Sequence, residues 1–292
     1  MKQFGKQNSA QIKIITAMVI FGTIGIVRKN IALSSSVVAC ARALIGTVFL
    51  LVISSIRKDK IDCKLVKKHA LPLFLSGALL GANWICLFEA YTYTTVAVAT
   101  ICYYMAPVFM IVFAALLFRE NLSRMQVGCV ICAVLGMVLV SGVLETGFTG
   151  FRGIALGLIA AVMYAVIVLT NKKLGLLSGS TRTLFQLAIA AITLLIYVGL
   201  TENLAIANFD KQTIVMLLIA GVLHTGIAYT LYFGSIQDLP ARTVALLGYI
   251  DPVLAVVLSV VFLKESMSVL NMIGILLVIG ATMVSEIRQE TE

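Results

Sequence analysis

A single acidic residue, Asp251, lies inside a long apolar segment of the sequence and directly precedes a proline. The local sequence is Tyr249-Ile250-Asp251-Pro252-Val253. An acid at mid-depth of a membrane-crossing segment is costly, and by default it has a function. Asp251 can exchange a proton or face a cationic group of a substrate. The alternative is a carboxylate that is held by hydrogen bonds to neighbouring helices.

Aromatic side chains that carry polar atoms occur near the middle of four apolar segments. They are Trp84, Tyr103, Tyr104, Tyr229, Tyr232 and Tyr249. Trp and Tyr of membrane proteins usually lie at headgroup level instead. Buried hydroxyls and an indole N–H need partners, which a polar aromatic cavity supplies. The pattern favours a wall that binds amphipathic organic solutes, or a cation through its ring faces, over aromatic packing between helices.

Three further residues are candidates for gating or proton transfer. Arg42 lies early in the second apolar segment and Glu89 lies late in the third, so both are expected at similar depth. They would form either a static ion pair between two helices or a gate that breaks and reforms. His224 is a candidate proton relay, with a hydrogen bond between helices as the favoured alternative.

Two prolines, Pro107 and Pro252, fall near the middle of the fourth and ninth apolar segments. A proline within a helix removes one backbone hydrogen bond and displaces the carbonyl four residues earlier. In a membrane this is tolerated where neighbouring helices or a water-filled cavity satisfy the carbonyl. We therefore predict two kinked helices that line a central site and act as hinges. The alternative is a pair of packing kinks without ligand contact.

The composition requires that membrane helices position these residues. Of the 292 residues 61% are hydrophobic and 12% charged, whereas a soluble domain is about half apolar and a quarter charged. Apolar runs recur at the length of about 20 residues that a helix needs to cross a bilayer. They fall near residues 12–30, 37–56, 70–90, 96–118, 125–144, 153–171, 182–200, 213–234, 241–263 and 269–286. We predict an all-α integral membrane protein with ten transmembrane helices.

The distribution of positive charge predicts the orientation in the membrane. Most of the 22 Lys and Arg residues fall in segments that a cytoplasmic N-terminus would place inside, and such residues are retained in cytoplasmic loops. Both termini are therefore expected in the cytoplasm, with the chain in the cell inner or plasma membrane. The net charge of +9 indicates attraction to anionic membrane lipid and no binding of nucleic acid.

The two halves of the sequence repeat at an offset of 145 residues. This offset aligns Tyr104 and Pro107 with Tyr249 and Pro252, and Trp84 with Tyr229. Each half then holds five spans, and an odd number inserts the second half upside down. We therefore predict two inverted five-helix repeats, residues 1–148 and 149–292. Ala106 stands where the second half has Asp251, so the acid breaks the symmetry.

The whole chain resembles the EamA branch of the drug/metabolite transporter superfamily. The resemblance depends on the ten spans in two repeats, a proline in the fourth span of each, a Glu at the end of that span (Glu120 and Glu265) and an Arg early in span 2. It implies a transporter with cytoplasmic termini and a central cavity lined mainly by spans 3, 4, 8 and 9, with help from spans 1 and 6. Members carry amino acids, nucleotide-like metabolites, sugars or drugs, many of them as exporters.

The function predicted from the sequence is secondary active transport by alternating access, without enzymatic activity. The expected direction is export, the expected solutes are small organic metabolites such as amino acids or amines, and coupling to protons is an option. The alternative is a lipid flippase or scramblase on the same scaffold. An intramembrane aspartyl protease would need two membrane aspartates, and only Asp251 is expected at mid-depth. The sequence contains no phosphate-binding loop of the kind that would indicate transport driven by ATP. The six cysteines lack the His or acidic neighbours of a zinc site, so no metal and no cofactor are predicted. The expected partners are a small-molecule substrate and membrane lipid, with the chain a monomer or homodimer.

Overall fold

A computed structural model describes residues 2–59, 61–118, 123–141, 144, 150–174, 176–203, 209–235, 238–239 and 241–289 of the chain. Within these ranges the regular secondary structure is helical and no strand occurs. The helical class predicted from the sequence is confirmed for this part of the chain. The boundary expected between the two repeats, after residue 148, lies outside the described residues.

The helices follow one another with short connections. In chain order they are α1 (Lys2–Gly22), α2 (Ile24–Lys29), α3 (Ser35–Arg57), α4 (Cys63–Lys68), α5 (Ala70–Tyr93), α6 (Val96–Tyr103), α7 (Ala106–Phe118), α8 (Arg124–Val140), α9 (Phe151–Lys173), α10 (Gly179–Thr201), α11 (Lys211–Leu218), α12 (Ala228–Phe233), α13 (Ala241–Gly248), α14 (Ile250–Phe262) and α15 (Val269–Gln289). A π-helical segment, Ile219–Ile227, joins α11 to α12.

Long apolar helices make up most of the described chain. Seven helical segments in it are long and apolar enough to cross a membrane, namely Gln7–Lys29, Ser35–Arg57, Ala70–Tyr93, Val96–Phe113, Phe151–Asn171, Gly179–Thr201 and Lys211–Phe233. Three shorter apolar helices are Arg124–Val140, Ile250–Phe262 and Val269–Val284. Many of their Leu, Ile and Val side chains are exposed, as a lipid-facing surface requires. The count of ten transmembrane helices stays a prediction.

Polar side chains cap the N-termini of five helices. Ser34, Thr95, Ser123, Ser178 and Asp210 each accept a hydrogen bond from a backbone N–H in the first turn of the helix that follows. Such caps satisfy donors that have no partner within the helix. At Asp210, outside the apolar segment, the backbone N–H of Thr213 stabilises the carboxylate and lowers its pKa below the usual value.

Each of the two proline segments contains a short interruption of the regular α-helix. One interruption falls at Tyr104 and Met105, before α7, and the other at Tyr249, before α14. Pro107 and Pro252 consequently lie in the first turn of the helix that follows. Proline is tolerated there because the N–H that it lacks would have no partner within the helix. Both irregularities lie beside the prolines, and the role of the prolines as hinges stays a prediction.

The helix contacts of one half recur in the other. α5 packs along α9 as α1 packs along α12, and α10 packs on α5 as the π-helical segment packs on α3. Likewise α9 contacts α7 as α1 contacts α14, and α9 contacts α6 as α1 contacts α13. Two further major contacts join corresponding helices, namely α8 with α15 and α3 with α10. α6 also contacts α14, where the fourth and ninth apolar segments meet. The two halves are thus interleaved, and helices of both surround the interior.

The contact between α8 and α15 depends on two glycines. A Cβ atom on Gly136 would lie 2.8 Å from the carbonyl oxygen of Gly274, and one on Gly274 would lie 2.6 Å from the carbonyl oxygen of Gly136. Both distances are shorter than van der Waals contact, and the obstructing atoms belong to the backbone. The two helices can therefore approach this closely only with glycine at both positions.

We expect Gly136→Ala and Gly274→Ala each to lower the free energy of unfolding by about 1–3 kcal/mol, because the methyl group forces the helices apart. The matched controls are Gly128→Ala on α8 and Gly280→Ala on α15, where a Cβ would meet no atom within 4 Å. The controls should leave stability unchanged or raise it, since alanine favours the helix. Thermal unfolding of the purified protein in detergent measures this. Equal shifts at all four positions would contradict the close packing.

Candidate functional site

A buried arginine, Arg42, occupies the interior between α3, α5 and the π-helical segment. Its side chain is 6% exposed. The guanidinium carbon lies 4.1 Å from the ring centroid of Trp84 and 5.7 Å from that of Phe88. Its Nε donates a 2.7 Å hydrogen bond to Oγ1 of Thr225. The cation is therefore held over an aromatic face and is anchored along one edge, an arrangement that suits arginine better than lysine.

The π-helical segment places Thr225 within reach of Arg42. The hydroxyl of Thr225 donates to the carbonyl of Ala220, five residues back, which follows the wider π-helical turn. A Cβ atom on Gly46 of α3 would lie 2.4 Å from Cγ2 of Thr225, and one on Gly221 would lie 2.4 Å from Cβ of Ile45. Small residues therefore allow α3 and the π-helical segment to approach closely enough for the hydrogen bond.

Asp251 is hydrogen-bonded to a tyrosine of the other half. The hydroxyl of Tyr104 donates to Oδ2 of Asp251 over 2.7 Å. Tyr104 lies at the interruption between α6 and α7, and Asp251 lies just after the interruption before α14. The carboxylate is also close enough to Arg42 for the two charges to interact. The interior thus holds one basic and one acidic group, each contributed by a different half.

The predicted aromatic wall is arranged as two groups of rings and one separate ring. Tyr103 contacts Tyr104 at 6.2 Å and Tyr164 at 5.4 Å between centroids. Tyr229 contacts Phe21 at 5.5 Å and Phe233 at 5.7 Å, and Tyr232 contacts Phe233 at 5.1 Å. Trp84 lies under Arg42.

The remaining predicted aromatic residue, Tyr249, is 5% exposed and lies at the helix interruption. Reasoning from the sequence missed Phe21 and Phe88, which contact these central residues, and Tyr164, which is 39% exposed and contacts Tyr103. Tyr164 lies in the middle of span 6, which the family resemblance placed beside the cavity, and this position could have identified it.

His224 joins the π-helical segment to the first apolar segment. Its Nε2 lies 2.9 Å from Oγ1 of Thr23, and its Nδ1 lies 3.2 Å from the carbonyl oxygen of Ile219. A carbonyl can only accept, so Nδ1 carries the proton of that bond. This geometry agrees with the favoured alternative, a hydrogen bond between helices. A role of His224 in proton transfer stays a prediction.

The expected pair of Arg42 and Glu89 is not formed. Glu89 accepts a 2.7 Å hydrogen bond from Oγ of Ser35, which in turn accepts one of 2.9 Å from Arg28. The guanidinium of Arg42 instead lies over Trp84 and 5.7 Å from the ring centroid of Phe88, the residue before Glu89. A static ion pair is therefore not present in this structure, and a gate that breaks and reforms stays a prediction.

Two carboxylates, of Glu265 and Glu202, connect the two halves at one end of the helix bundle, which we call the capped end. Glu265 accepts hydrogen bonds of 2.9 and 3.1 Å from the backbone N–H of Val96 and lies 3.8 Å from Nζ of Lys29. Glu202 accepts a hydrogen bond from Ser36. Both contacts join the two halves. Glu265 thus contacts the start of α6, whereas Glu120, its predicted counterpart, lies outside the described residues.

A cleft opens at the opposite end, between α3, α10 and α12. It has a volume of about 360 Å³ including its open mouth. Among its lining residues are Leu50, Ile53, Arg57, Thr183, Tyr229 and Phe233. Tyr229 lies one helical turn after Thr225, the hydrogen-bond partner of Arg42. The cleft therefore reaches from the bundle end towards the turn that holds Arg42.

We expect Tyr104→Phe to lower the free energy of unfolding by about 1.5–3 kcal/mol, because Asp251 would lose a hydrogen bond in a low-dielectric interior. The control is Tyr197→Phe, which removes the same atom from a side chain that is 46% exposed. Thermal unfolding of both variants in detergent is the measurement. A shift for Tyr197→Phe as large as that for Tyr104→Phe would show that the hydrogen bond to Asp251 does not stabilise the fold.

Comparison with known proteins agrees with this arrangement. The profile of the EamA-like transporter family matches residues 8–142 and, a second time, residues 151–286. An uncharacterized transporter of Bacillus subtilis (strain 168), YxxF, is 29% identical, with 98% of this chain and 92% of the relative covered. The threonine/homoserine exporter RhtA of Salmonella typhimurium (strain LT2) is 26% identical over 78% of this chain and 76% of its own length.

A solved crystal structure has the same fold, with a TM-score of 0.66 and 20% identity over 98% of this chain and 100% of that one. Two matches of one profile in a single chain also agree with an internal repeat. The helices long enough to cross a bilayer, the interior with its few charged residues and the family match over nearly the whole chain lead to one conclusion. The chain belongs to the EamA-like transporter family of the drug/metabolite transporter superfamily and is an integral membrane transporter.

Proposed function

We propose that the protein is a secondary active transporter that exports small organic metabolites, such as amino acids or amines, by alternating access. The observation that carries the proposal is the position of the central residues. Arg42, Asp251 and the aromatic rings lie between a capped end, closed by contacts of the two halves, and a cleft at the other end. A carrier that binds its substrate at mid-depth and opens to one side at a time needs this arrangement.

Three observations support a scaffold of ten transmembrane helices in two inverted five-helix repeats. The family profile matches twice. Each half has its helix interruption at the same position, Tyr104 in the first and Tyr249 in the second. The helix contacts also recur when the halves are exchanged. We assign the hinges to the interruptions before Pro107 and Pro252, because a turn next to a proline lacks part of the regular helical hydrogen bonding and can change direction more easily than a continuous helix.

The proposed cytoplasmic termini place the cleft on the side from which an exporter loads its substrate. With Lys2 inside and five spans in each half, α3 ends and α10 begins on the cytoplasmic side. The cleft, lined by Arg57 near the end of α3 and Ser180 near the start of α10, then faces the cytoplasm. The capped end with Glu265 and Lys29 faces outward. This state loads substrate from inside the cell, and breaking the contacts of the capped end releases it outside.

Asp251 is the proposed site of proton coupling and of contact with the substrate. The hydroxyl of Tyr104 is hydrogen-bonded to it, and the guanidinium of Arg42 is close enough for the two charges to interact. Tyr103, next to Tyr104 in the chain, packs against the ring of Tyr104. Membrane acids in such surroundings commonly serve as proton carriers or bind cationic groups. The similarity to a relative that is named a threonine/homoserine exporter favours amino acids among the possible substrates.

The test is uptake of threonine, other amino acids and cationic amines by liposomes that contain the purified protein. For exchange of substrate against protons, we expect uptake to rise when the lumen is more acidic than the medium, because protons then leave as substrate enters. Asp251→Asn should lower this uptake by about 10- to 100-fold, since it removes a charged partner of the bound solute, and should abolish the effect of the pH gradient.

The matched control is Asp210→Asn, the same chemical change at an exposed helix cap, which should leave uptake unchanged. Uptake by Asp251→Asn equal to that of the unmodified protein would rule out the role of Asp251. Movement of phospholipid across the bilayer, with no uptake of any solute, would replace the proposal with a lipid flippase or scramblase.

A further inference from the structure

The two arginines that are buried in the described chain differ in how their charge is compensated. Arg28 and Arg42 are each 6% exposed. Arg28 donates to the carbonyl of Ile31 and to Ser35, and Ser35 donates to the carboxylate of Glu89. A protein carboxylate thus compensates the charge of Arg28 through one intervening hydroxyl.

Arg42 has no comparable partner in the described part of the chain. Its hydrogen bond there is the one from Nε to Thr225, and no described carboxylate lies within 4.0 Å of it. A guanidinium has five N–H donors, and four of them, on the two terminal nitrogens, are not used by any described side chain. Asp251 interacts with this charge only without direct contact, and a membrane-buried cation that lacks a contacting anion is costly and by default functional. This state is the one expected of a cation that receives its contacting anion from a ligand.

The geometry around Arg42 leaves one direction for that partner. Trp84 covers a face of the guanidinium at 4.1 Å, and Thr225 occupies the Nε edge. The fork of terminal nitrogens remains, and this fork matches the two oxygens of a carboxylate. Both the ring and the hydroxyl hold the fork in position before a ligand arrives, which reduces the entropy lost on binding.

The neighbouring acid selects between classes of anion. Asp251 lies close enough to Arg42 for their charges to interact, and it is held by Tyr104. A doubly charged phosphate at Arg42 would be repelled by this carboxylate. A zwitterion that carries one carboxylate and one ammonium group complements both charges, and the complex has no net charge to bury.

We propose that Arg42 binds the carboxylate of the substrate while Asp251 faces its ammonium group, so that the transported solutes are zwitterionic amino acids and not simple amines. This inference depends on the proposed transport function and narrows its substrate class. It also gives Arg42 a role that differs from the ion-pair gate expected from the sequence. Trp84 contacts the proposed carboxylate site and is the single tryptophan of the chain, so its fluorescence reports on that site alone.

The experiment compares threonine, phenylalanine and methionine with their amides, in which an uncharged group replaces the carboxylate. Uptake by liposomes that contain the full-length protein is measured for each acid and its amide. We expect the unmodified protein to prefer the acids by about 10- to 100-fold, the effect of a hydrogen-bonded charge pair. Arg42→Gln should reduce the preference to less than about threefold. Arg42→Lys, which keeps the charge and loses the fork, should give an intermediate value.

The matched control is Arg152→Gln. Arg152 also lies over an aromatic ring, that of Tyr93 at 4.1 Å, but both of these side chains are exposed and lie at the capped end. This variant should keep the preference for acids. The acids, but not the amides, should change the fluorescence of Trp84 in the unmodified protein, and Arg42→Gln should abolish the change.

Two results separate this inference from the proposed function. Uptake of amides as fast as acids by the unmodified protein would overturn the carboxylate site and leave the carrier intact, and this result does not depend on whether any variant folds. A full preference for acids in Arg42→Gln would likewise show that Arg42 is only a structural brace. Uptake of neither acids nor amides would overturn the transport function and this inference with it.

Discussion

The scarcity of polar partners in a lipid environment governs this structure. A backbone amide or a charged side chain that faces hydrocarbon cannot be satisfied by water, so each departure from regular helix has to be turned inward. The interruptions at Tyr104 and Tyr249 and the π-helical segment Ile219–Ile227 belong to helices that surround one interior. Arg42, Asp251 and His224 obtain their hydrogen bonds at these irregular positions. Irregular backbone and buried polar side chains therefore occur together, because residues at the irregular positions supply hydrogen-bond partners for the buried polar groups.

The repeat provides the scaffold, and departures from the repeat provide the chemistry. Tyr104 and Tyr249 occupy equivalent positions at the helix interruptions, and Trp84 and Tyr229 are equivalent aromatic residues of the interior. The charged residues of the central site, Arg42 and Asp251, are not repeated. At the same offset of 145 residues, Arg42 corresponds to Leu187 and Asp251 to Ala106. Two similar halves can thus enclose a site with one positive and one negative side, as an unsymmetrical solute requires.

The two ends of the bundle differ in the kind of contact that holds them. At the capped end, carboxylates bind a helix start, a lysine and a serine across the two halves. Such contacts are directional and few, so in the proposed mechanism they can be exchanged for water when the halves rock. The contact between α8 and α15, by contrast, depends on closely packed glycines. Their contacts extend along the helices and would keep these two helices together throughout a transport cycle.

The sequence alone determined the class of protein, the approximate segments and the positions of the irregular helices. Apolar runs and a periodic proline are local properties that hydrophobicity and backbone chemistry dictate directly. The sequence also singled out Asp251, since an acid in an apolar run is conspicuous without any neighbours. The tertiary structure alone decided the partners. It placed Arg42 over Trp84 and Thr225 and away from Glu89, joined Tyr104 to Asp251, and brought Glu265 to the start of α6. Partners of this kind depend on the relative depth, rotation and separation of helices that are distant in the chain, and glycine contacts between helices set these quantities more than any local pattern does.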